Sequence, residues 1–203
     1  MLVSILLFAG IASAAPAIIS RRDNTAALAP WQITAASANS PSGRPGSSTT
    51  SGISITIKDP NTIPLRQGPT GTVVFPSIEA TCSWTWEGSA ADNFPDGIET
   101  VCTRTAVKPS SYGNFTMTLS GTSQRDFAFT VKETREVSPY GQRFVRVYEG
   151  GHAFAVGDGI WRQQCGGSGA CSWQPANDVL PIDVQQELTE SVGSCEETGT
   201  CPL

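Results

Sequence analysis

Residues 78–86 read IEATCSWTW, and this run decides the class of fold. Apolar side chains occupy every second position, and polar side chains lie between them. A period of two residues is typical of a β-strand with one face in the core and the other in solvent. The side chains predicted to face the core are Ile78, Ala80, Cys82, Trp84 and Trp86.

The same alternation recurs on both sides of this run, at 53–57, 115–119 and 127–131, and a short early strand is predicted at Trp31 to Ile33. Turn-forming residues separate the runs, as in the SPYG sequence at 138–141. Many short strands with turns between them indicate antiparallel pairing. We therefore predict one all-β domain, an antiparallel β-barrel or β-sandwich.

Three local patterns lead to further expectations. Gly150-Gly151 is typical of a two-residue hairpin loop. The Ser, Gly and Pro-rich segment 37–52 cannot bury apolar surface, so a flexible loop is expected there. Residues 183–191 (DVQQELTES) have a weak helical pattern.

The N-terminal segment indicates export. Residues 2–11 are an apolar run of the length of a signal-peptide core, and Ala12-Ser13-Ala14 provides small residues for cleavage. We therefore expect a signal peptide at 1–14 and a propeptide at 15–22, which ends at the dibasic pair Arg21-Arg22. The secreted β-domain would then span 23–192, followed by a polar tail at 193–203. No later run is long and apolar enough to span a membrane.

The charge of the chain limits its partners. The formal net charge is −5 at pH 7, with only 15% charged residues. An acidic protein repels phosphate backbones and anionic lipid surfaces. We expect neither nucleic acid nor membrane to be a partner.

The cysteines are even in number, which in an exported protein indicates disulfides. Six cysteines allow fifteen pairings, so the connectivity stays open. The C-x5-C spacing favours Cys165–Cys171 and Cys195–Cys201, the latter in the polar tail, and leaves Cys82 for Cys102. Neither the spacing nor the oxidising compartment fits a zinc site.

Few residues fit a catalytic centre, and we expect no cofactor and no enzymatic activity. His152, the only histidine, lies beside a glycine pair and is expected to be a structural or surface residue. Trp84 and Trp86 lie near several acids and could hold a sugar ring, although core packing is the favoured role of both. The nearby acids are Glu79, Glu87, Asp92, Asp96 and Glu99. Asn114-Phe115-Thr116 is a glycosylation sequon that secretion would make usable.

The order of these features resembles the small secreted β-barrel proteins of filamentous fungi related to the major Alternaria allergen. The resemblance covers roughly residues 31–175. The features that carry it are Trp31-x-Ile33, the I-x-I-x-I run at 53–57, Thr81-Cys82-Ser83, Cys102, the F-x-M-x-L and F-x-F-x-V runs at 115–119 and 127–131, and the late pair Cys165 and Cys171.

The resemblance implies a compact barrel without catalytic residues and the pairings Cys82–Cys102 and Cys165–Cys171. It also implies action outside the cell as an allergen, elicitor or effector that meets host proteins. Two features depart from the family. No cysteine precedes Cys82, so a covalent dimer is not expected, and the Cys195–Cys201 tail has no counterpart.

These observations lead to three functional hypotheses. The first is a secreted, non-catalytic protein that binds an extracellular or host partner. The second is a carbohydrate-binding or glycoside-active protein that uses Trp84, Trp86 and nearby carboxylates. The third is a protease inhibitor or cell-wall structural protein, with the GGSGA loop between Cys165 and Cys171 as an exposed display.

Overall fold

The described part of the chain is almost entirely β-structure. A computed structural model describes residues 28–88, 93–105 and 112–193 and contains fourteen strands in them. They are β1 (Trp31–Ser40), β2 (Thr50–Asp59), β3 (Ile63–Gly68), β4 (Gly71–Phe75), β5 (Ile78–Glu87), β6 (Glu99–Val101), β7 (Thr103–Arg104), β8 (Asn114–Gly121), β9 (Asp126–Val137), β10 (Phe144–Ala155), β11 (Trp161–Cys165), β12 (Cys171–Pro175), β13 (Ile182–Val184) and β14 (Gln186–Val192). The predicted all-β class is confirmed.

The strands form two main sheets and a separate hairpin. The seven-stranded sheet has the order β11-β12-β1-β2-β5-β7, with β13 also paired to β1. The five-stranded sheet has the order β14-β10-β9-β8-β6, and β3 pairs with β4 alone. All pairs between these strands are antiparallel. The sheets are not closed into a barrel, so of the two predicted architectures the sandwich is the one that fits.

The core lies between the two sheets. The ring of Trp31 on β1 meets Phe115 on β8 at a centroid distance of 5.7 Å, and Phe127 on β9 meets Trp161 on β11 at 5.8 Å. Such edge-to-face contacts add to the free energy gained by removing large aromatic surfaces from water. The alternating runs at 53–57, 78–86, 115–119 and 127–131 lie in β2, β5, β8 and β9, and Trp31 begins β1.

Two disulfides fix this arrangement, and both pairings were expected. Cys82 on β5 is bonded to Cys102, which lies between β6 and β7, and both residues are buried. Cys165 and Cys171 face each other across the ends of β11 and β12 and close the hairpin between them.

The hairpin loop predicted at Gly150-Gly151 is wrong. Both glycines lie inside β10, which pairs with β9 without interruption from Phe144 to Ala155. A Cβ at Gly150 would collide with the carbonyl oxygen of Gln185 and would lie 3.0 Å from the indole of Trp31. The glycine is therefore required for close approach and not for a turn.

The helix predicted at 183–191 is also wrong. This segment forms β13 and β14. Val184 lies opposite Trp31 in the pairing with β1, and Leu188 lies opposite Tyr148 in the pairing with β10. Pairing with strands distant in sequence overrides a weak local pattern.

The loop predicted at 37–52 is too long. β1 continues to Ser40 and β2 begins at Thr50, so the connecting segment is 41–49. The small residues at 37–39 pair with β2 and β12, because their side chains alternate between the core and solvent. The predicted leader (1–14), propeptide (15–22) and disulfide Cys195–Cys201 lie outside the described residues, as does all of the 193–203 tail beyond Gly193. Within the described ranges, no helix is long and apolar enough to cross a bilayer.

Candidate functional site

A cleft of about 610 Å³ opens at one end of the seven-stranded sheet. One wall is the 41–49 segment between β1 and β2, and the other is the 166–170 loop between β11 and β12. Its floor contains the ends of β1, β2 and β12, with Asn39, Thr50 and Ser172. The cleft therefore joins two segments that are more than a hundred residues apart in sequence.

Covalent and hydrogen bonds hold the two walls in place. The Cys165–Cys171 bond closes the hairpin, and inside it the backbone N–H of Gly166 donates to the carbonyl of Ala170 at 2.8 Å. Arg44 reaches across from the other wall, and its Nη2 donates to the carbonyl of Gly167 at 3.1 Å. A wall that is already held by a disulfide and hydrogen bonds loses little conformational entropy when a ligand binds.

Hydroxyl and amide side chains line this cleft. They include Asn39, Ser42, Ser47, Ser48, Ser168 and Ser172. Each hydroxyl can donate one hydrogen bond and accept two, and each amide can do both. Apart from Arg44, whose guanidinium is bonded to the Gly167 carbonyl, the described residues of the cleft have no ionisable side chain, since Cys171 is held in a disulfide. The cleft can bind a neutral polar ligand but offers no side chain for general acid–base catalysis.

The two tryptophans proposed as a sugar platform lie elsewhere. Trp84 is 5% exposed and packs in the core, and its Nε1 donates to the carbonyl of Ile98 at 3.2 Å. Trp86 is partly buried, and its ring meets Phe94 at a centroid distance of 5.6 Å. Trp84 therefore has the favoured role in core packing, and Trp86 packs against the same core.

The acids predicted near these tryptophans do not line the cleft. Glu79 accepts a hydrogen bond from Thr34 Oγ1 at 3.0 Å, and Asp96 accepts one from the backbone N–H of Gly121 at 2.9 Å. Glu87 and Glu99 are exposed, and Asp92 lies outside the described residues. The two bonded carboxylates hold neighbouring strands and turns together.

His152 lies in β10, and its ring packs against Phe154 at a centroid distance of 4.9 Å. Burial lowers its pKa, although the charge of Asp158 acts in the opposite direction. The imidazole is therefore neutral at pH 7, as expected of a packed histidine. In the described ranges, no group of three or more histidine, cysteine or acidic residues could hold a metal ion.

The sequon residue Asn114 is the first residue of β8. Its side-chain Oδ1 accepts a hydrogen bond from the backbone N–H of Phe115 at 2.8 Å, and the residue is partly exposed. The amide lies at a strand end, where solvent can reach it. Glycosylation at this position stays a prediction.

A buried charged cluster at the other end of the sandwich was not predicted from the sequence. Arg135 on β9 pairs with Asp59 at the end of β2, and its Nε donates to Glu133 Oε1 at 2.6 Å. Its Nη1 also donates to the carbonyl of Pro76 at 3.2 Å, and Trp31 Nε1 donates to Glu133 Oε2 at 3.0 Å. These bonds join the two sheets through the core. The signal in the sequence that could have located this cluster is the alternation at 127–131. It continues to residues 133 and 135, whose side chains face the core like those of 127, 129 and 131.

Burial sets the charge state of this cluster. Desolvation raises the pKa of Glu133 from 4.5 to about 8, with Arg135 opposing the rise and Asp59 adding to it. Burial also raises the pKa of Tyr148, on the neighbouring strand β10, to about 12. At neutral pH, Glu133 is therefore protonated, and its carboxyl group is hydrogen-bonded to Asp59 beside Arg135. The cluster is a structural connection and lies far along β2 from the cleft.

No family model, no curated protein and no solved structure matches this chain. The function is therefore argued from the geometry and chemistry of the described residues.

Proposed function

We propose that this protein acts outside the cell as a non-catalytic binding protein and that the cleft between residues 41–49 and 166–170 is its recognition site. The observation that carries the proposal is the chemistry of the cleft. Its lining is rich in hydrogen-bonding groups, and the ionisable side chain in its walls, Arg44, is bonded to the Gly167 carbonyl. Such a site can recognise a ligand but cannot move protons during a reaction.

Two further features support this proposal. The Cys82–Cys102 and Cys165–Cys171 bonds are typical of an oxidising compartment, in agreement with the export signal in the sequence. The resemblance to secreted fungal allergen-like proteins also favours an extracellular partner. A disulfide closes one wall of the cleft, and Arg44 bonds the other wall to it, as expected of a preformed site.

The test compares two single substitutions of exposed serines. Ser47→Arg places a long charged side chain at the cleft, and Ser138→Arg places the same side chain in the turn after β9, at the opposite end of the sandwich. The disulfide-intact wild-type protein and both variants are immobilised and exposed to extracellular fluid and solubilised cell-wall material. Retained proteins and glycans are then identified by mass spectrometry.

We expect a defined set of retained molecules with the wild type and with Ser138→Arg, and at least a tenfold loss with Ser47→Arg. Equal retention by both variants would show that the cleft is not the recognition site. Chemical conversion of the retained molecules by the wild type, but not by Ser47→Arg, would show that the cleft is catalytic and would overturn the proposal.

A further inference from the structure

The outer face of the seven-stranded sheet is an array of mostly polar side chains that begins at the cleft, with Gly52 and Ala35 as its apolar positions. Strand register places these residues in three rows. The first row is Gln164, Ser172, Asn39, Gly52 and Thr85, the second is Ser37, Ser54 and Ser83, and the third is Ala35, Thr56, Thr81 and Thr103. Asn39, Ser172 and Gln164 also line the cleft, so the cleft and the face form one surface.

On β1, β2, β5 and β7 these rows contain no charged side chain, although the whole chain carries 18 acidic and 13 basic residues. On β12 and β11 the second row continues with Gln174 opposite the exposed Arg162, which pairs with Asp178 at 3.9 Å, so one cation lies at that edge of the face. The next row along the strands contains Lys58 opposite Glu79, so charge returns at the border of the face. The outer face of the other sheet is different. It has hydroxyls of its own but also Glu99, Lys132 and Glu149, and Lys132 pairs with Glu149 at 3.9 Å.

The hydroxyls of this face retain capacity for a ligand. Ser54 bonds Ser83 at 3.1 Å and Thr56 bonds Thr81 at 2.9 Å across neighbouring strands. Each such pair uses one hydrogen between two oxygens, which leaves one donor and several lone pairs free. Each pair can therefore both donate to a ligand and accept from it.

The shape and composition of the face select the class of ligand. Strands lie about 4.8 Å apart, so the five-stranded first row spans about 19 Å, which suits an extended chain. The large exposed hydrophobic residues of the described chain are Ile98, Val101, Tyr140 and Val192, and none lies in these rows. A protein partner would call for an apolar and aromatic centre, and a nucleic acid for positive charge.

We propose that this face and the cleft together bind a neutral polysaccharide chain, through repeated hydrogen bonds between sugar hydroxyls and the rows of Ser, Thr and Asn side chains. This inference rests on the proposed function of the cleft and adds the ligand class. The three rows carry no aromatic ring, so each sugar contributes weakly and affinity comes from many repeats along the polymer.

The test is co-sedimentation of the disulfide-intact protein with insoluble β-1,3-glucan, cellulose, chitin and mannan, with anionic polygalacturonate as a charged comparison. The face variant carries Thr81→Val, Ser83→Ala and Thr85→Val, which remove three outward hydroxyls of β5 and keep its shape. The matched control carries Ser120→Ala, Thr130→Val and Thr134→Val on the other sheet. A single Thr85→Val variant replaces the triple if thermal melting shows that the triple is unfolded.

We expect the wild type and the control to sediment with at least one neutral polymer, the face variant to lose at least tenfold in bound fraction, and the free monosaccharide at millimolar concentration not to compete. Equal losses in the face and control variants would overturn the inference. A wild type that binds none of the neutral polymers would also overturn it. If the wild type binds no neutral polymer but captures another extracellular partner, and Ser47→Arg abolishes that capture, the proposed function of the cleft stands and only the ligand class is wrong. If the wild type captures nothing, both proposals fail.

Discussion

Replacement of Glu133 by glutamine tests the charge state of the buried cluster. Burial raises the pKa of Glu133 from 4.5 to about 8, so the folded protein holds a proton that the unfolded chain releases near pH 4.5. Stability from this group is therefore fully present below pH 4.5, declines as the pH rises, and is lost above about pH 8. Glutamine is neutral at every pH, so the substitution should remove this dependence.

The magnitude follows from the same two pKa values. Between pH 5.5 and pH 8.0 the wild type should lose about 3 kcal/mol of unfolding free energy through this group. Glutamine can donate to Asp59, but its single oxygen cannot replace both acceptor oxygens, which now serve Trp31 and Arg135. The variant should therefore start about 1 to 3 kcal/mol less stable at pH 5.5 and then change little up to pH 8.0.

The assay is urea unfolding of disulfide-intact protein, followed by tryptophan fluorescence at several pH values from 5.5 to 8.5. Trp31 contacts Glu133 directly and is fully buried, so it reports on loss of the cluster. Glu136→Gln, an exposed acid on the same strand paired with Arg143, is the control and should keep the wild-type pH dependence. If Glu133→Gln keeps that dependence too, Glu133 is already ionised in the folded protein and the reasoning is refuted.

Three other predictions concern packing, covalent structure and modification. Gly150→Ala should lower the unfolding free energy by about 1 to 3 kcal/mol in denaturant titration, since its Cβ would press on the Gln185 carbonyl and on Trp31; a neutral effect would show that Gly150 does not approach these residues closely. Joint replacement of Cys165 and Cys171 by alanine should cost about 2 kcal/mol and should increase amide exchange in the 166–170 loop, whereas unchanged exchange would mean that the disulfide does not order this wall. Protein secreted from a eukaryotic host should lose mass on treatment with an N-glycosidase, and Asn114→Gln should abolish that loss; a loss that persists in the variant would place the glycan elsewhere.

The sequence predicted the strands that have one apolar face. Their side chains alternate between the two faces of the sheet whichever strands they pair with. β2, β5 and β8 follow from their isoleucine, tryptophan and phenylalanine positions alone. Gly150 was assigned to a turn because the sequence does not show its contact with Trp31. That residue, which leaves no room for a side chain at 150, is more than a hundred positions away. The strands at 182–192 were missed for the same reason, since their partners β1 and β10 are distant in sequence.

The candidate site was less predictable than the fold. Its hydroxyl-rich segment at 41–49 was recognised as a loop, but nothing local indicates that the 166–170 hairpin forms the opposite wall. Trp84 and Trp86, which were considered as a sugar platform, pack in or against the core, the role that the sequence favoured for both. A single short polar residue on a strand does not indicate a binding surface. Only the strand register shows which of these residues lie side by side.

Amide hydrogen exchange of the disulfide-intact protein, measured with and without soluble β-1,3-glucan, chitin oligosaccharides and mannan, tests the central claim most directly. We predict that at least one of these neutral glycans slows exchange at 39–50, 164–172 and β5 and leaves β8 and β9 unchanged. Protection confined to β8 and β9, or no protection with any of the three, would contradict the assignment of the cleft and its adjoining face as a glycan-binding surface.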